Sequence, residues 1–294
     1  MFYTFQNDDS EEACFELSLN NILEAWILVV QNKKIFGVEK VIKVFSTQLF
    51  NKYLQCHLSP PDGIRTHDIN NDCNQEIENT ESSDRMKYEE PLMIIGMLGR
   101  QQPEETFPIL CKLLEDRTRR LHGQLQRIYQ SNNIDAGESK VLEVLYEDIS
   151  WLVLIASHLV ALRSVSEDAI VPDELKTYCS QRLTCGTTDI TTTLKVLASP
   201  NQCITEIPNA DATSDQVIRL VAAIFRLCEI ETKAMEAKMT SILSPEVTAN
   251  IMWFLINWSE SYLLISDDDS KVVDTLYIFV FFFQFLMLFR TVKH

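Results

Sequence analysis

Five histidines and eight cysteines are the side chains of this chain best suited to acid–base, nucleophilic or metal chemistry. Each such chemistry needs a set: a nucleophile needs a base within hydrogen-bond reach, and a zinc ion needs several closely placed ligands. The histidines, at 57, 67, 122, 158 and 294, form no such set. Cys56-His57 is an adjacent pair without a recognisable third group, and His158 lies beside an apolar helical face, where an imidazole is more often a boundary residue than a base. The cysteines, at 14, 56, 73, 111, 179, 185, 203 and 228, are irregularly spaced and include no C-x-x-C. Cys14, Cys111 and Cys228 sit among apolar residues, which predicts small buried hydrophobes in a reducing compartment rather than disulfides or zinc ligands. No H-E-x-x-H, G-x-S-x-G, phosphate-loop or dinucleotide fingerprint occurs. These patterns point away from an enzyme and imply no metal and no cofactor.

The sharpest remaining pattern is ionic. RTRRLHGQLQR, residues 117–127, carries Arg117, Arg119, Arg120 and Arg127. Arg117, Arg120 and Arg127 are spaced by three and by seven, close to one stripe of a helix. Guanidinium groups pair well with carboxylates, so the stripe suits either an acidic partner or the chain's own acids. Those acids are concentrated upstream: between Asp68 and Glu90, eight carboxylates face only Arg85 and Lys87. So few apolar residues offset the ordering entropy there that a mobile acidic loop is expected over 66–90. Arg117, Arg119, Arg120 and Arg127, with Asp72, Glu76, Glu78, Glu81 and Asp84, are the candidate partner-binding residues. The plainer readings, salt bridges between helices for the arginines and a solvated connector for the acids, are the more frequent outcomes.

The elements that must position these residues are helical. Forty-six per cent of the 294 residues are hydrophobic, and seven Gly and nine Pro are few for an all-β chain of this length. A formal charge of -16 argues against nucleic-acid binding, which needs a cationic surface, and suits basic protein partners. Behind Ser10, read as an N-cap, Phe15, Leu19, Ile22, Leu23, Trp26, Ile27 and Val30 recur at helical steps, and Val38 to Leu54 repeats the period beyond Gly37. Ser59 to Gly63 closes this first hairpin. Leu92 to Leu98 predicts a short helix, and Pro108 is placed in the first turn of the next, whose buried side runs from Ile109 to Ile128. Val141 to Leu162 predicts a long helix. Pro172 opens a short one to about Arg182, and another begins between Thr187 and Thr193. Ser214 or Asp215 caps a helix through Ile230, and Ser244-Pro245 opens the last. About eight helices and no strand give an all-α chain of stacked antiparallel hairpins, with a compact bundle as the structural alternative. An isolated piece of such a stack would expose apolar faces at both ends.

Beyond Asp267-Asp268-Asp269 the character changes. TLYIFVFFFQFLMLF, residues 275–289, is shorter than the roughly 20 residues that cross a bilayer as a straight helix. It reads as a tail anchor, as a buried terminal helix, or as sequence foreign to the protein from an incorrect gene model. The proposed division is a helical-repeat segment over 1–265 and an atypical tail over 266–294. The sequon Asn257-Trp258-Ser259 lies inside a helical pattern and no secretory signal precedes it, so chance explains it.

Several strings resemble the exportin-4 family of nuclear transport receptors, within the importin-β superfamily. They are LEAWILVVQ (23–31), YLQCHLSPPDGIR (53–65), MLGR (97–100), LLEDRTRRLHGQLQR (113–127), LYEDISWLVLIASHLVA (145–161), SDQVIRLVAAIFRLCEIETKAM (214–235) and ILSPEVTANIMWFLINWSESYLL (242–264). They follow the family's order, cover most of 15–265 and end near Ser266, which favours the gene-model reading of the tail. The resemblance implies HEAT-type hairpins and a middle part of a much longer receptor. It further implies binding of RanGTP and of protein cargo, of the translation factor 5A and Smad classes. Contact with nucleoporins and shuttling between nucleus and cytoplasm would follow. A helical scaffold without Ran dependence and a tail-anchored membrane protein are the competing readings.

Overall fold

The computed structural model describes residues 8–32, 37, 39–65, 84–131, 135–162, 170–199 and 204–263. Over these the chain forms eleven α-helices: α1 Asp8–Gln31, α2 Glu39–His57, α3 Asp84–Lys87, α4 Glu89–Gly99, α5 Pro103–Ser131, α6 Ala136–Val160, α7 Asp173–Thr184, α8 Ile190–Ala198, α9 Ala210–Thr213, α10 Gln216–Glu236 and α11 Pro245–Tyr262. Short 3-10 turns occupy Ile204–Glu206 and Thr240–Ile242. Among the described residues the only extended pairing is an isolated antiparallel bridge between Leu162 and Ile170.

Helix starts follow local chemistry. Asp135 accepts from the Glu138 amide at 2.7 Å while the Glu138 carboxylate receives the Asp135 amide at 3.3 Å, a reciprocal capping box at the head of α6. Asp189 caps α8, Asp215 caps α10 through the amides of Val217 and Ile218, and Ser244 caps α11 ahead of Pro245. Two starts differ from the sequence reading. α1 begins at Asp8, ahead of Ser10. α5 begins at Pro103, so Pro108 lies inside the helix. Pro103 is itself pre-organised for a helix start, and Pro108 is near enough to that end to remove little hydrogen bonding.

The acidic stretch is also shorter than a loop through Glu90. Asp84 to Lys87 form a helical turn, and Glu89 and Glu90 open α4. Aromatic contacts hold this part down: Arg85 lies over the Trp253 ring at 5.4 Å, and Tyr88 packs on Trp151 at 5.2 Å. Asp72, Glu76, Glu78, Glu81, His67, Cys73, Cys203 and the hydrophobic tail lie outside the described residues.

The long helices form two rows. α1, α4, α6 and α11 pack successively in one, α5 and α10 in the other, with α2 against α4 and α5, and α5 against α6. Polar pairs fix direction within each row. Asn250 donates to Ser150 at 2.7 Å and Asn257 to Ser157 at 3.1 Å, seven residues further along both helices, so α6 and α11 run parallel. In the other row Cys111 donates to the Gln216 carbonyl and Arg219 to Glu115, so α5 and α10 also run parallel. Like-oriented helices stacked in each row make a helical-repeat solenoid, not an up-and-down bundle, whose neighbours alternate in direction. One core runs through it from Leu23 to Trp258.

Gly96 and Gly99 set the approach of α4 to α6. A Cβ on Gly96 would lie 2.2 Å from the His158 carbonyl oxygen, and one on Gly99 would meet Leu159 and Phe50 below 3.0 Å. Buried Arg100 then donates to the carbonyls of His158 and Leu159, and Tyr262 donates to that of Val160 at 2.9 Å. The last carbonyls of α6, which have no partner within their own helix, are thereby satisfied.

Candidate interaction surface

Along α5 the buried stripe reads Leu110, Leu114, Arg117, Leu121, Leu125 and Ile128. Arg117 occupies an apolar position, three residues after Leu114 and four before Leu121, which was the sequence signal for an inward side chain. Its side chain is 1% exposed. Nε donates to Asp148 at 2.7 Å, and Nη1 reaches Asp62 at 2.8 Å and Asp116 at 3.2 Å. Burial alone would lower its pKa; the hydrogen bonds with Asp148 and Asp62 outweigh that and hold the guanidinium charged.

Asp148, on α6, is the hub, with no exposed side-chain surface. Besides Arg117 it accepts from Arg65 at 2.9 Å, from the Ser59 amide at 2.9 Å and from the Ser59 hydroxyl at 2.7 Å. Arg65 extends the network to Glu147 at 3.0 Å and to the His57 carbonyl at 2.9 Å. Three separate strings, SPPDGIR, LEDRTRR and LYEDISW, thus converge on one ionic knot that fastens the 59–65 turn to α5 and α6. Gly63 is required in that turn, since a Cβ would fall 1.9 Å from the Leu58 carbonyl oxygen. Asp62, Arg65 and Asp148 were missed in the sequence because nothing in residue type or spacing pairs positions so far apart.

The expected arginine stripe is therefore split, and Arg117 is corrected from a partner contact to an internal one. Arg119 and Arg120 remain outside, with side chains 63% and 47% exposed, and share Asp116 at 2.6 and 2.8 Å. Exposed Arg127 bonds to Gln124 and to the Gly123 carbonyl. Lys112, Arg119, Arg120 and Arg127 leave the outer side of α5 cationic. Asp84 stands at the first position of α3.

A second feature, not read from the sequence, is an open acidic groove of about 320 Å³ lined by Glu143, Tyr146, Glu147, Ser244 and Glu246. Glu147 is already paired with Arg65, and Glu246 accepts from Ser150 at 3.4 Å. Nearby Glu231 is held by Thr248 at 3.2 Å, and burial pushes its carboxyl up to about 7.

Four of the residues suited to chemistry, His57, His158, Cys111 and Cys228, are packing groups. His57 stacks on Trp151 at 3.8 Å and His158 lies 5.1 Å from Trp253; burial lowers each imidazole to about 4. Burial pushes the Cys111 thiol up and that of Cys228 to about 12, which leaves both unreactive near neutral pH. Among the described residues no His, Cys, Asp and Glu cluster has metal-binding geometry, and no helix is long and apolar enough to cross a membrane.

Comparison with known proteins matches the chain to a family model. The family model described as Exportin-4 matches residues 8–274, so the match runs past Ser266, near which the resemblance was expected to end. Exportin-4 of Dictyostelium discoideum is 22% identical over 280 aligned positions, which cover 87% of this chain and 21% of that protein. The chain thus spans about a fifth of the length of that relative.

Proposed function

The chain belongs to the exportin-4 family, and from that membership we propose that it serves as a segment of a nuclear export receptor, binding protein cargo together with RanGTP. The observation that carries this reading is the family match over residues 8–274, which runs through both rows of the stack instead of covering one motif. Translation factor 5A-like and Smad-like proteins are the cargo classes of this reading, and nucleoporins are its contacts during passage between nucleus and cytoplasm. An extended pair of helical rows supplies large surfaces, and large surfaces suit partners that are themselves folded proteins.

The exposed cations of α5, Arg119, Arg120 and Arg127, and the acidic residues Asp72, Glu76, Glu78, Glu81 and Asp84 are the proposed partner contacts. Two opposite patches on one receptor favour partners of opposite local charge. The test is retention of the chain by Ran loaded with a non-hydrolysable GTP analogue or with GDP, each with and without a translation factor 5A cargo. Retention is expected with the GTP form and is strengthened by cargo, because coupling between two ligands is reciprocal. Equal retention by both forms overturns the reading in favour of a scaffold. Reversing Arg119, Arg120 and Arg127 together to Glu is expected to weaken retention at unchanged melting temperature.

A further inference from the structure

The outward face of α5 gathers cations on a chain of net charge -16, and it is centred on a glycine. Arg119 and Arg120 lie four and three residues before Gly123, and Gln126 and Arg127 three and four after it, so these four side chains ring that residue on the helix surface. Ile109 and Lys112 continue the same stripe toward the helix start. One carboxylate, Asp116, answers both Arg119 and Arg120 and also holds buried Arg117. The other row has the opposite character: on α6 and α11, Glu138, Glu143, Glu147, Glu246 and Glu260 stand against Lys140. The face is not an end of the stack, since α5 has α2 and α10 beside it in its own row and α6 behind it.

Among the described residues nothing requires a glycine at 123. A Cβ there would meet nothing within 4 Å, and the backbone is not in the left-handed region. A glycine inside a 29-residue helix loosens it relative to alanine. Gly96 differs, because the α6 backbone lies against it. What a glycine supplies at an uncrowded helical position is room for another main chain to come close. We propose that an acidic helix of a partner protein lies across α5 at Gly123, with its carboxylates among Arg119, Arg120 and Arg127. A helix is the fitting occupant because the side of α5 has its main-chain groups paired internally and offers none to an extended strand; it packs as helix does on helix. Protein is favoured over nucleic acid by the acidic row nearby, which repels a long polyanion, and by Ile109, 37% exposed on the same stripe. That these arginines meet a partner comes from the export reading; the acidic helix and its seat at Gly123 are added to it.

Fluorescence anisotropy with a fluorescein-labelled helical peptide of Glu, Ala and Leu tests this on the 294-residue chain. Saturable binding is expected at low salt and weaker binding at high salt, as for an exposed ionic contact. Reversal of Arg119, Arg120 and Arg127 to Glu is expected to abolish it; if circular dichroism shows that variant unfolded, Arg127→Glu alone replaces it and is expected to weaken binding. Gly123→Ala is expected to weaken binding by about ten-fold while raising the melting temperature, a combination that a purely structural glycine would not give. A parent chain that does not bind the peptide overturns the proposal. So does a Gly123→Ala variant that binds as the parent does, or one that loses binding and melting temperature together. Tighter binding of a thymidine oligonucleotide than of the peptide, insensitive to Gly123→Ala, assigns the face to nucleic acid and overturns it as well. Peptide binding by a chain that GTP-loaded Ran does not retain refutes the export reading and leaves this contact standing.

Discussion

The helix at the centre of the stack and the two at its first end contain similar residues and bury them differently. In α6 every side chain from Asp148 to Ser157 is buried, polar and apolar alike. In α1 and α2, Leu23, Val30, Ile42 and Phe50 are buried while Ile22, Leu28, Val44 and Phe45 stand about half exposed or more. α6 has neighbours on three sides, in α4, α5 and α11, whereas α1 has α4 and, through Trp26, the Ser46 and Phe45 side chains of α2. An apolar stripe in this chain therefore reports a helix, and its burial reports how many neighbours that helix has. Polar groups follow the same rule: Asp148, Ser150 and Ser157 are tolerated at the centre because a neighbouring helix or turn supplies a partner to each.

The comparison is broken most severely at its hub. Asp148→Ala would leave Arg117 and Arg65 without their buried acceptor and is expected to cost about 3–5 kcal/mol, the usual penalty for removing one side of a buried pair. A lower midpoint in urea at unchanged slope is the expected readout, and a loss below about 1 kcal/mol would show that water takes over the carboxylate's role. Ile155→Ala, at a position with no exposure, is expected to cost about 2–5 kcal/mol. Gly96→Ala should follow at about 1–3 kcal/mol, because its Cβ meets backbone of α6 that cannot rotate away. An unchanged midpoint for Gly96→Ala would mean that α4 slides on α6.

Most of the fold was legible because periodicity and caps are local signals. Leu92 to Leu98 and the Asp215 and Ser244 caps sit where their spacing and residue types place them, and the helix expected over Val141 to Leu162 is present but stops at Val160, Leu162 pairing with Ile170 instead. Pro108 misled because a proline in the second turn of a helix looks the same in sequence as one in the first. The turn at Asp84 to Lys87 was hidden because what orders it, Trp253 and Trp151, comes from remote helices. The site was less legible than the fold. Arginine type and spacing located α5's cationic character, but which arginines turn inward depends on register against Leu114 and Leu121. Asp148 as the partner of Arg117 is a tertiary fact with no local trace.

Acidity sharpens the contrast between buried groups of opposite sign. His57 and His158 lie at about 4 instead of 6.5, so the folded chain holds fewer protons than the unfolded chain in that window, and stability falls as pH falls through it. Glu231 lies at about 7 instead of 4.5, so its contribution is complete below 4.5 and is lost as pH rises through 7. Glu231→Gln is expected to raise the urea midpoint relative to the parent at pH 8 and to lose that advantage by pH 4.5. A difference between the two proteins that does not change with pH would show that Glu231 titrates as an ordinary carboxylate.

The smallest effect is the most informative about the ends. Ile22→Ala removes the same atoms as Ile155→Ala, but from a side chain that is 57% exposed. At low protein concentration it is expected to change stability by no more than about 0.5 kcal/mol, as surface substitutions do. A cost of several kcal/mol there would mean that a further segment of the same chain covers the outer side of α1. A cost that grows with protein concentration would mean that the neighbour is another copy, since only a partner that binds the folded state makes stability depend on concentration.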